Sequence, residues 1–113
     1  MILLEFKNVQ DKNSVLDFLG TNDVPSLGDK YFVKTCEFTY IKGLDNNFTT
    51  SEIVTIAITN FTSVALSVIA NYIYTFLTKN KGMTIEIGRK NLSNKSIANI
   101  IKIIKESQEE NDK

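Results

Sequence analysis

The hydrophobic pattern of the chain is dominated by one long stretch, residues 52–79 (SEIVTIAITNFTSVALSVIANYIYTFLTK with the preceding Ser51), which carries no formal charge between Glu52 and Lys79. Its polar residues are ordered: Thr55, Thr59, Ser63, Ser67, Asn71 and Thr75 recur every fourth position. On an α-helix that spacing makes one slowly drifting polar stripe, with Ile53, Ile56, Val64, Val68, Ile69, Ile73, Phe76 and Leu77 opposite it. The spacing predicts a helical region buried along one side. A single helix here would run about 39 Å at 1.5 Å per residue, long for a chain of this size. A break is therefore expected at 59–63, where Asn60 and Thr62 are capping types. The start carries an S/T-x-x-E capping box in Thr49-Thr50-Ser51-Glu52. The end carries Lys79 and Lys81 with Gly82 beyond them.

A stretch this apolar is also long enough to cross a bilayer, which takes roughly 20 residues. Two asparagines near its middle would be costly in lipid, and its ends look like those of water-exposed helices. A buried spine is the expectation; a small membrane protein with one span at 53–78 is the alternative.

The flanks follow shorter periods. Residues 2–7 alternate as a strand with Ile2, Leu4 and Phe6 on one face. Asp11 or Ser14 caps a short helix whose Val15, Leu16, Phe18 and Leu19 are buried, and Gly20 closes it. Residues 21–29 hold the only proline and form a loop. Residues 31–41 (YFVKTCEFTYI) read as one strand, with Phe32, Cys36, Phe38 and Tyr40 on one face. A turn around Gly43 follows. Residues 83–87 make a third strand, 88–91 turn the chain, and Ser93 or Asn94 caps a last helix over 95–106 with Ile97, Ile100, Ile101 and Ile104 inward. The remaining SQEENDK is too polar to pack. The expected fold is α+β in the order β-α-β-α(α)-β-α: a small three-stranded sheet packed by helices, with a long bent central helix region. Residues 1–106 form a single domain and 107–113 an acidic frayed tail.

Composition removes most chemistry. Among 113 residues there is no histidine and one cysteine, Cys36. Imidazole catalysis, His-containing metal sites, thiolate zinc sites and CxxC redox chemistry are excluded. Cys36 on a strand reads as a core residue. Gly20, Gly28, Gly43, Gly82 and Gly88 are isolated and make no phosphate-cradling loop. Glu5, Glu37 and Glu86, each on an expected strand, are the carboxylates that folding could gather for acid–base or Mg²⁺ work. No cofactor and no metal are expected. The first residues alternate, with no basic segment or cleavage site, so a cytoplasmic location is expected.

The charges balance, 13 against 13, but unevenly. Residues 79–105 carry seven bases and one acid, Glu86, whereas 1–52 carry eight acids and five bases. The basic stretch lacks the arginines and interleaved aromatics that nucleic-acid binding uses, which argues against that partner. What remains is binding to a protein. Tyr31, Tyr40, Tyr72 and Tyr74 are candidate anchors, Tyr31 and Tyr40 foremost, and Asp23, Asp29 and Asp45 supply a field complementary to a basic surface.

Two family resemblances bear on function. The run from MILLEF through SEIVTIAITNFTSVALSVIANYIYTFLTK to MTIEIG and a final helix resembles the effector-associated constant component of bacterial conflict systems, whose long apolar middle helix also breaks at small residues. That likeness implies an adaptor domain serving a protease or other effector. In type, as a small, single-domain, lysine- and asparagine-rich chain without catalytic residues, it resembles the immunity proteins of contact-dependent growth inhibition and related toxin systems. That likeness implies specific inhibition of one cognate toxin by covering its active site. Asp23, Asp29, Tyr31, Tyr40 and Asp45 would be the residues set against a basic toxin domain, with no small-molecule substrate.

Overall fold

The computed structural model describes residues 1–34, 36–44, 50–60 and 65–111. Along the chain lie β1 (Ile2–Lys7), α1 (Lys12–Leu19), β2 (Lys30–Val33), β3 (Cys36–Leu44), β4 (Thr50–Asn60), α2 (Leu66–Lys79), β5 (Thr84–Ile87), β6 (Lys90–Asn91) and α3 (Ile97–Asn111). The fold is α+β. Its sheet has six antiparallel strands in the order β2-β3-β4-β1-β5-β6, rather than the expected three.

The long apolar stretch is not a bent helix. Its first part is β4, which sits inside the sheet between β3 and β1; only its second part, α2, is helical. The residues explain the correction. In TSEIVTIAITN, β-branched side chains predominate and stiffen χ1 in a way that suits a strand. Val54, Ile56 and Ile58 alternate into the core. The four-residue polar spacing that pointed to a helix is also an even number, so Thr55 and Thr59 share a strand face equally well. The expected capping box at 49–52 therefore starts no helix, and 61–63 of the expected break lie outside the described residues. A single span at 53–78 is likewise replaced by a strand and a helix. Among the described residues no helix is long and apolar enough to cross a membrane.

All three helices pack on one face of the sheet. Ile2, Leu4 and Phe6 of β1, Phe38 and Tyr40 of β3, Val54, Ile56 and Ile58 of β4, and Ile85 and Ile87 of β5 form one buried cluster with Val15 and Phe18 of α1, Ile69, Ile73 and Phe76 of α2, and Ile100 and Ile104 of α3. Phe18 is its hub: its ring centroid lies 5.1 Å from those of Phe6, Phe38 and Tyr72 and 5.0 Å from that of Phe76. The Tyr72 hydroxyl donates to the Phe18 carbonyl at 2.6 Å, which fastens α2 to α1. Leu3, Glu5 and Lys7 point to the other face of the sheet, opposite Ala57, Thr55 and Ile53.

Helix ends follow the sequence in part. Asp11 caps α1 by accepting from the Asn13 N–H at 2.9 Å, and Gly20 ends it in the left-handed region. α2 closes on Asn80, whose side chain donates to the Phe76 carbonyl at 2.8 Å, ahead of the expected Gly82. Ser96, rather than Ser93 or Asn94, accepts from the Asn99 N–H at the start of α3. That helix runs to Asn111, past the expected boundary at 106. In β3, a bulge around Lys42 leads to Gly43 at φ 118°, where an added Cβ would sit 2.5 Å from the Val54 Cα. Glycine is required by that approach.

Candidate partner-binding site

Residues 31–41 are a hairpin rather than one strand, and this change builds the site. β2 and β3 are separated by two positions only, with Lys34 at φ 52° in the turn. The fold-back pairs Phe32 with Glu37 and Tyr31 with Phe38. Phe32 thereby leaves the face that holds Cys36, Phe38 and Tyr40, and its ring is 76% exposed. β2 is also an edge of the sheet, so one side of its backbone faces outward.

The 21–29 loop leads into this edge and is held locally. The Asp23 N–H donates to Thr21 Oγ1 at 3.2 Å. The Asp29 carboxylate accepts from the Ser26 N–H at 2.8 Å, and the Asp29 N–H returns to the Ser26 carbonyl at 2.9 Å. Gly28 N–H to Tyr40 O (2.8 Å) and Tyr40 N–H to Asp29 O (2.9 Å) then stitch the loop to β3. Pro25 is buried beneath it. Leu27, between Ser26 and Gly28, is left 75% exposed. These bonds fix the loop's course, so Leu27 and the two carboxylates are presented from an ordered edge.

Of the five residues expected to bind a partner, the structure brings Asp23, Asp29 and Tyr31 together. Burial holds the Tyr31 phenol above its ordinary range, and the negative charges of Asp29 and Asp23 add to that. Tyr40 is not an anchor. It is 3% exposed, and its hydroxyl donates to the Leu44 carbonyl at 3.1 Å while accepting from the Leu44 N–H at 2.7 Å. That hydroxyl organises the end of β3 from inside the core. Asp45 lies outside the described residues. Leu27 and Phe32 are the additions that sequence reasoning missed. Leu27 looked like part of a Pro/Gly loop, and Phe32 fell into phase with a strand that the turn interrupts.

The strand carboxylates are spread out. Glu5 and Glu86 face each other directly across β1 and β5, and Lys7 Nζ reaches Glu86 Oε1 at 3.0 Å. Glu37 lies beyond β4, where it pairs with Lys30 at 3.3 Å and accepts from Thr59 Oγ1 at 3.2 Å. Among the described residues no three His, Cys, Asp or Glu side chains come together as a metal site.

The sheet order also separates the two charge-rich segments. The acidic loop adjoins β2 at one edge, whereas Arg89 and Lys90 flank or form β6 at the other. Lys90 there pairs with Glu106 of α3 at 2.7 Å. Compared with protein-family models, with curated proteins and with solved structures, the chain matches none.

Proposed function

We propose that the protein is a non-enzymatic binding protein that acts in the cytoplasm as an immunity protein, neutralising a cognate bacterial toxin by covering a basic active site with its β2 edge. The observation that carries this reading is the pair Leu27 and Phe32, each about three-quarters exposed, flanking Asp29 and Tyr31. A large apolar side chain left in water along a sheet edge offers a partner surface to bury. Burying such a side chain contributes about 1.5–3 kcal/mol, whereas an exposed ion pair contributes about 0–1 kcal/mol. Leu27 and Phe32 therefore supply affinity. Asp23 and Asp29 speed the encounter and orient the partner. Tyr31 adds a rigid contact beside the two carboxylates.

The adaptor reading has less support, because the long middle helix on which that likeness rested is a strand up to Asn60. The test begins with affinity capture from the host, followed by calorimetry of the captured protein with wild type and Asp29→Lys. A basic toxin domain whose activity the wild type blocks is expected, with affinity falling about tenfold or more in the variant, as close charge reversal implies. A captured partner that binds both forms equally would overturn the site; one with no toxic activity would overturn the immunity role.

A further inference from the structure

A hollow lies on the β5–β6 side of the sheet, away from β2. It is a cleft of about 650 Å³ between the end of α2 and the 81–84 and 92–96 segments, within the size range of small-molecule sites. Its lining combines two kinds of surface. Half-buried Leu77 gives it an apolar wall over the buried Met83 and Leu92, and Tyr74, 41% exposed, stands beside them. Lys81 and Lys95 also line it, and among the described residues no carboxylate does. Neither lysine takes part in an ion pair among the described residues. Lys81 also borders a neighbouring hollow that holds Asp11 and Asp17, so Lys95 is the cation committed to the cleft. Ser96 Oγ accepts from the Asn99 N–H at 3.2 Å, which leaves its hydroxyl proton to donate.

We propose that this cleft binds a phosphorylated small molecule with a planar, largely apolar body, of mononucleotide size. The ammonium groups act as point charges for the phosphate. The Ser96 hydroxyl adds a neutral donor. The apolar wall and the Tyr74 ring take the planar body by burial and stacking. This site is independent of the β2 edge and departs from the expectation that the chain takes no small molecule.

Titration of the whole chain with adenosine monophosphate, inorganic phosphate and adenosine, followed by amide NMR at low ionic strength, tests it. The monophosphate should give saturable shifts at Gly82, Asn94, Lys95 and Ser96, with inorganic phosphate about tenfold weaker or worse and adenosine not saturating. Lys81→Ala with Lys95→Ala, or Lys95→Gln alone if the double variant unfolds, should weaken binding about tenfold, as loss of a charged hydrogen bond implies. Asp29→Lys should leave it unchanged. Shifts spread over surface lysines elsewhere, adenosine or phosphate binding as tightly as the monophosphate, or variants that bind like wild type would each overturn the proposal.

Discussion

Phe18 and Phe32 are the same residue in opposite circumstances. Phe18 is 1% exposed and touches four aromatic rings drawn from the sheet and α2; Phe32 is 76% exposed on an edge strand. The helix-covered face spends its aromatic side chains on holding the chain together. The β2 edge leaves comparable side chains in water, where they contribute little to folding. On the proposed reading, stability and binding are housed in separate parts of this molecule and should respond separately to mutation.

The largest effect should come from the hub. Phe18→Ala removes the ring that joins α1, α2, β1 and β3, at a cost of about 3–5 kcal/mol. Total stabilities are about 5–15 kcal/mol, so urea unfolding should show a greatly lowered midpoint or no folded baseline. A midpoint near that of wild type would remove the hub from the account.

A smaller effect is expected at Tyr72. Tyr72→Phe deletes the hydroxyl bond to Phe18, a net loss of about 0.5–1.5 kcal/mol at neutral pH. Burial first, and the charge of Asp17 second, hold the Tyr72 phenol above its ordinary 10.0. The folded state therefore favours the neutral phenol. That contribution is fully present below pH 10 and is lost as pH rises through the raised folded value. The variant should lose less stability than wild type across that alkaline range, measured by denaturant titration at successive pH values; parallel losses would contradict the assignment.

The mildest change sharpens the edge itself. Asp23→Asn with Asp29→Asn keeps acceptor oxygens but removes both charges beside Tyr31. The Tyr31 phenol should then titrate at lower pH than in wild type, while burial keeps it above its ordinary value. Ultraviolet titration of tyrosinate, with Tyr31→Phe as the reference, reads this directly. An unmoved titration would separate the carboxylates from the ring.

Much of the covered face was legible in the sequence. Ile2, Leu4 and Phe6 alternate as expected, Asp11, one of the two expected caps, opens α1 and Gly20 closes it, and Ile100 and Ile104 turn inward from α3. The middle failed because a spacing of four fits both a strand face and a drifting helical stripe. The density of Ile, Val and Thr at 53–59 was the better discriminator. The edge was half legible. Charge and residue type single out Asp23, Asp29 and Tyr31, which lie together. The same rule singles out Tyr40, whose place opposite Ile56 in the middle of the sheet buries it. Phe32 required knowing that the chain folds back at Lys34, where no glycine or asparagine announces a turn.

The most direct measurement pairs stability with affinity in a single variant, Leu27→Ser with Phe32→Ser. Exposed positions usually change stability by no more than about 0.5 kcal/mol each, so the urea midpoint should stay close to that of wild type. Affinity for the captured basic partner should fall by about a hundredfold or more, from the burial lost at two side chains. Undiminished affinity in a folded variant would contradict the claim that the β2 edge is the surface with which this protein binds.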